Sequence, residues 1–181
     1  MKFTTPALLV ISAFALSACA STAATRPASQ PAAQAQLRPT AGNTANGLLT
    51  VVQQADHLSV SLHAQGVPPG PHGFHVHEHG DCSADDGSSA GGHFNPTGAE
   101  HGGPHAEHHH VGDFGNVTAD ANGNIDFSID IPLTQLTLDP ASPEALAGRS
   151  VILHAIEDDL KTQPTGNSGK RLACGVVELK K

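Results

Sequence analysis

The sequence predicts an all-β fold, an antiparallel sandwich or barrel, on three observations. Short runs alternate apolar and polar residues with a period of two, Gly and Pro punctuate them, and no long stretch repeats at the helical period. With 181 residues, 38% of them hydrophobic, the chain has enough apolar content for one core and nothing that asks for a second. Its formal net charge of −8 excludes nucleic acid and anionic membrane surfaces as partners, since both would repel it over most of its face.

In chain order, Lys2 precedes an apolar stretch from Pro6 to Ala18. That stretch falls short of the ~20 residues a membrane-spanning helix needs and suits the apolar region of a signal peptide over residues 1–18. Leu16-Ser17-Ala18-Cys19 resembles a bacterial lipoprotein cleavage site, at which the cysteine becomes the lipidated first residue. A plain cut at Ala18 or Ala20, leaving a soluble protein, is the alternative, and either cut takes the protein out of the cytoplasm. Residues 19–36 then read as a lipidated Cys19 and a flexible tether of Ala, Thr, Gln, Pro and Ser with a single charge at Arg26. The folded domain is expected over 37–181, beginning at the first large apolar residue, Leu37.

Within the domain, Leu58, Val60 and Leu62 alternate with Ser59, Ser61 and His63, a strand with one buried face. Pro68-Pro69-Gly70 separates it from a second strand around His75. Ile125, Phe127, Ile129 and Ile131 alternate with Asp126, Ser128 and Asp130, and Asn122-Gly123 between this run and Val117-Thr118-Ala119 signals a hairpin. Two stretches do not alternate, residues 80–112 and 156–170. Irregular loops of that length in a compact domain are usually functional, and a bound metal would give them order.

Thirteen histidines against nine lysines and arginines make imidazole the chemistry to explain. In Gly73-Phe74-His75-Val76-His77 the two histidines share one face of an extended strand, while Phe74 and Val76 point to the other. Imidazole suits zinc and copper above all, although a His-x-His pair by itself is as often structural. His93, His101, His110 and Asp113 supply three imidazoles and a carboxylate, a set suited to tetrahedral zinc. His154, ending the apolar run Val151-Ile152-Leu153, could add a copper ligand from across the sheet. There are three cysteines; if Cys19 takes lipid, Cys82 and Cys174 remain as one pair. A disulfide between them suits an oxidising compartment and would add a few kcal/mol in the chain-entropy model, the alternative being two unrelated buried thiols.

Taken together, Gly73-Phe74-His75-Val76-His77-Glu78, Gly92-His93-Phe94-Asn95-Pro96, His101-Gly102-Gly103-Pro104, His110-Val111-Gly112-Asp113, Gly115-Asn116-Val117-Thr118 and Arg171-Leu172-Ala173-Cys174-Gly175 resemble the copper/zinc superoxide dismutase family, in order and spacing. The resemblance covers residues 35–181 and implies an immunoglobulin-like Greek-key barrel or sandwich with long metal-bearing loops. It implies copper on His75, His77, His93 and His154, and zinc on His93, His101, His110 and Asp113. His93 would bridge the two ions and carry a proton during turnover. Asp158 would join the free nitrogens of His75 and His101, and Arg171 would draw in and orient the substrate, superoxide. His57, His63, His72 and His79 fall outside the ligand set, and His105, His108 and His109 are expected to face solvent.

The implied activity is dismutation of superoxide to dioxygen and hydrogen peroxide, with a copper- and zinc-buffering protein on the same fold, or a hydrolytic zinc enzyme, as rivals. Cys82 follows His77 closely, a long segment 83–92 comes after it, and the 158–171 loop is short and leaves only Lys161 and Lys170 as further positive groups. These departures point to the bacterial branch. They do not carry over the eukaryotic dimer contact, while the signal and the Ala20 after Cys19 point to a periplasmic protein held at the outer membrane only through lipid on Cys19. A homodimer therefore remains a partner to be tested.

Overall fold

The computed structural model describes residues 1–2 and 32–181, so the expected signal peptide, Cys19 and most of the expected tether lie outside the described residues. Among the described residues nine strands carry the fold: β1 (Ala33–Pro39), β2 (Asn46–Gln53), β3 (His57–Gln65), β4 (Gly70–His77), β5 (Asp113–Ala119), β6 (Ile125–Pro132), β7 (Ser150–His154), β8 (Arg171–Val176) and β9 (Glu178–Leu179). The helical content among the described residues is one 3₁₀ turn, Ser88–Ala90. The strands form an antiparallel sheet in the order β5-β4-β7-β8-β1-β2-β3-β6, with β9 added to β1. β5 and β6, the two ends of that order, pack side by side and nearly close a barrel. The all-β antiparallel class expected from the alternation is the class observed.

Alternation accounts for the core. Leu58, Val60 and Leu62 of β3 are fully buried, and across the ladder they meet Ile131, Ile129 and Phe127 of β6 in register. Leu37, Leu49, Val51, Phe74 and Phe114 fill the same interior, each fully buried Leu, Val or Phe contributing roughly 1.5–3 kcal/mol.

Two expectations are corrected. β1 begins at Ala33, inside the segment 19–36 read as tether, because Ala33 and Ala35 are buried beside Leu37 and paired with β2. Alanine side chains bury little area, so their alternation has the composition of a linker. The Asn122-Gly123 turn forms, with Asp120 N–H donating to the Asn124 carbonyl at 2.9 Å, yet it does not join a paired hairpin. β5 pairs with β4 and β6 with β3, so the turn passes the chain from one end of the sheet order to the other. Gly123 sits at φ 79°, where a Cβ would lie 2.6 Å from the Val67 carbonyl oxygen. Turn chemistry reverses the chain; the matching apolar faces choose the partner strand.

β4 lies between β5 and β7, and the two long irregular segments leave from its end and from the end of β7. Residues 78–112 fold back onto β4 through Phe94 N–H to the Val76 carbonyl at 2.8 Å and Val76 N–H to the Gly112 carbonyl at 2.9 Å. Cys82 and Cys174 are joined as a disulfide across a sequence separation of 92, tying this loop to β8.

Candidate metal centre

On β4, the core-facing Phe74 and Val76 alternate with His75 and His77, which are buried under the two loops. His154 ends β7, next to β4 in the sheet, and a bridge between His77 and His93 holds the 78–112 loop against the strand. Two four-residue groups result: His75, His77, His93 and His154, and His93, His101, His110 and Asp113. Within each, one ligand atom per residue lies within 4.8 Å of the others, and all seven residues are buried. His93 belongs to both, its ring centroid 4.0 Å from that of His75.

The nitrogens left without partners show what the groups fit. Nδ1 of His75, Nε2 of His93, Nδ1 of His101 and Nδ1 of His110 are buried and make no hydrogen bond. Unpartnered buried polar atoms are costly, so a cluster of them marks a missing partner. His101 Nδ1 and His110 Nδ1 approach Asp113 oxygens at 3.0 and 3.2 Å without hydrogen-bond alignment. Ligands of a tetrahedral ion with bonds of about 2.0 Å stand about 3.3 Å apart, and these pairs have that spacing. Nε2 of His77 and of His154 likewise face each other at 3.3 Å.

The opposite ring nitrogens are tied down, which fixes tautomer and ring orientation. His75 Nε2 is 2.7 Å from Asp158 Oδ2, His101 Nε2 is 2.9 Å from Asp158 Oδ1, and His77 Nδ1–H donates to the Gly91 carbonyl at 2.9 Å. Asp158 thus links a residue of each group. His93 Nδ1 lies 2.8 Å from Asp113 Oδ1, leaving its Nε2 for the other side. Asp113 Oδ2 also accepts from the N–H groups of Gly102 and His110.

Burial makes four of these imidazoles poor bases. Desolvation lowers His75, and it lowers His77 and His154 well below the ordinary value, helped by neighbouring histidines and by the Arg171 charge. His93 is pushed down to about 4, chiefly by burial. His101 moves the other way, to about 9, because Asp113 and Asp158 outweigh its desolvation. Both carboxyls are held below the usual range: burial opposes this, and hydrogen bonds from the histidines overcome it.

Arg171 opens β8, half-buried, and donates to the carbonyls of Gly87 and Gly91, each at 2.5 Å. The Gly91 carbonyl therefore accepts from both Arg171 and His77. His72 is buried outside both groups, its ring nitrogens facing the carbonyls of His154 and Pro68. His57, His63 and His79 stand beside Asp56, Asp126 and Glu78. His105 and His108 are exposed, His109 is half-buried, and Lys161 and Lys170 are exposed.

Sequence reasoning gave no role to three residues that shape the centre. Asn116 grips Asp158 through its backbone, accepting from the N–H at 2.7 Å and donating to the carbonyl at 2.9 Å. Gln163 does the same to His101, at 2.8 and 3.0 Å. Gly166 packs so closely that a Cβ would lie 1.7 Å from Asp158 Oδ1. Asn116 lay within a quoted motif, whereas a lone glutamine in a loop carries no signal.

A family model described as copper/zinc superoxide dismutase (SODC) matches residues 45–177. The extracellular Cu-Zn superoxide dismutase of Brugia pahangi is 39% identical over 143 residues, which cover 74% of this chain and 69% of that protein.

Proposed function

The chain belongs to the copper/zinc superoxide dismutase family, and from that premise we propose how its own residues divide the work. The protein is a superoxide dismutase, converting superoxide to dioxygen and hydrogen peroxide with copper and zinc as cofactors. The observation that carries the residue assignment is the pair of buried four-residue groups sharing His93, with unpartnered nitrogens in both. His75, His77, His93 and His154 hold copper; His93, His101, His110 and Asp113 hold zinc. Bound copper would supply the one-electron redox chemistry that dismutation needs, and bound zinc would supply fixed positive charge.

His93 Nε2 would take up a proton in one half-reaction and give it up in the other, while its Nδ1 stays beside Asp113. Asp158 keeps His75 and His101 in the tautomers that turn Nδ1 to the ions. Arg171 attracts superoxide and orients it, its guanidinium aimed by the carbonyls of Gly87 and Gly91. A buffering protein would need neither an anion guide nor a shared imidazole. A hydrolytic zinc enzyme needs an open zinc position, and Asp113 completes the set of four.

The Brugia pahangi relative is named extracellular, and residues 6–18 favour export of this chain too. The finer reading is a periplasmic lipoprotein anchored by Cys19 to the outer membrane, with a homodimer as its candidate assembly. Copper, zinc and dismutase activity assayed on the same preparation test the metal assignment. His110→Ala should lose zinc before copper; retention of zinc at full occupancy would overturn it.

A further inference from the structure

Six of the seven clustered residues are held in place by their own main chain. His75 and His77 lie in β4, His154 in β7 and Asp113 in β5; His93 is bridged to His77, and the His110 carbonyl accepts the Asp113 N–H at 3.0 Å. His101 is the exception. It is buried, and among the described residues no main-chain group bonds its N–H or its carbonyl. Both are taken by one side chain 62 residues away: Gln163 Oε1 accepts the N–H at 2.8 Å, and Gln163 Nε2–H donates to the carbonyl at 3.0 Å. Peptide groups in a buried segment need partners, so this amide fills the place a neighbouring strand fills for the other ligands. Its reach is preset by the second loop. Asp159 Oδ1 accepts the N–H groups of Lys161 and Thr162 at 3.0 and 2.8 Å, closing the turn from which Gln163 leaves, and Gln163 Nε2 also donates to the Lys161 carbonyl at 3.3 Å.

We propose that Gln163 is a positioning residue of the zinc site: its two-point grip on the His101 main chain keeps that imidazole in ligand position and so sets how fast zinc leaves. This rests on His101 being a zinc ligand. Gln163 touches no ion and acts through His101. It is itself exposed, so removing its amide lets water reach the His101 peptide groups without opening the core. His101 belongs to the zinc group and not to the copper group, so the loss should fall on zinc. Two hydrogen bonds of ordinary net strength correspond to about a ten-fold effect or more.

Gln163→Met keeps the length and neutrality of the side chain while removing both hydrogen bonds, and Gln163→Ala removes the side chain as well. Gln53→Ala, at an exposed glutamine ending β2, is the control. In the copper- and zinc-loaded protein, zinc release to a chromogenic chelator should be about ten-fold faster in Gln163→Met and Gln163→Ala alike, with copper release unchanged. Cobalt(II) placed in the zinc site should show shifted visible bands in both variants, because its ligand field follows the position of the His101 ring. Gln53→Ala should change neither reading. Zinc release at the wild-type rate with unshifted cobalt bands would overturn the proposal. Equal loosening of copper and zinc would overturn it too, since that marks a general loss of loop structure. His101→Ala in the same series separates the two readings: if it holds zinc as tightly as wild type the ligand set itself fails, and if it loses zinc while Gln163→Met matches wild type only the positioning role fails.

Discussion

At the level of single residues, the centre is a set of buried imidazoles aimed by carboxylates and carbonyls, in which burial lowers the basicity of His75, His77, His93 and His154 while Asp113 and Asp158 raise that of His101. Arg171→Ala should leave both metals bound and lower kcat/KM by about ten-fold at low ionic strength, since a chain of net charge −8 needs a local positive field to collect an anion. Stopped-flow kinetics with metal analysis checks this, and an unchanged rate would remove the guide. The pH dependence of the metal-free protein has two arms. His93 falls from 6.5 to about 4 on folding, so its contribution is present above pH 6.5 and is lost as pH falls toward 4. His101 rises to about 9, so its contribution is present below pH 6.5 and is lost as pH rises through 9. Urea unfolding of the metal-free protein across pH 4–10 should therefore show reduced stability at both ends; a flat acid arm would contradict the burial of His93, and a flat alkaline arm the pairing of His101 with Asp113 and Asp158.

At the level of elements, β4 supplies a pair of the clustered histidines, the 78–112 loop brings His93, His101 and His110, and the ends of β7 and β5 bring His154 and Asp113, while the second loop brings Asp158 against them. His75 and His77 were legible because strand geometry places alternate residues on one face, and Asp113 because it stands three residues after His110. The loops' own supports were less legible. Gln163 holds His101 by its backbone, and Gly166 leaves room for the Asp158 carboxylate; both are products of loop conformation, which no periodicity encodes. The early start of β1 was hidden for a related reason, since Ala33 and Ala35 bury too little area to stand out from a linker. Gly166→Ala should force Asp158 away from His101 and, at φ 65°, strain the backbone as well, costing roughly 1–3 kcal/mol and loosening both metals. Thermal unfolding of the loaded protein with metal release checks this. Reduction of the Cys82–Cys174 bridge should act in the same direction, because it frees the 78–112 loop from β8.

At the level of the whole molecule, the nine strands among the described residues give one main core, and the two four-residue groups that could hold metal sit on the outside of β4 where both long loops meet. A Cys19→Ser variant should leave the membrane fraction for the soluble periplasm with its activity intact; fractionation that finds wild type wholly soluble would leave the plain signal peptide. The account turns on one shared imidazole between two different ions. Metal analysis and dismutase activity measured together on His93→Ala and wild type test this most directly. Wild type should hold about one copper and one zinc per chain and dismute superoxide, while His93→Ala should keep the fold but lose affinity for both ions and most activity. A His93→Ala protein that binds copper and zinc as tightly as wild type and turns over superoxide at the same rate would contradict the account.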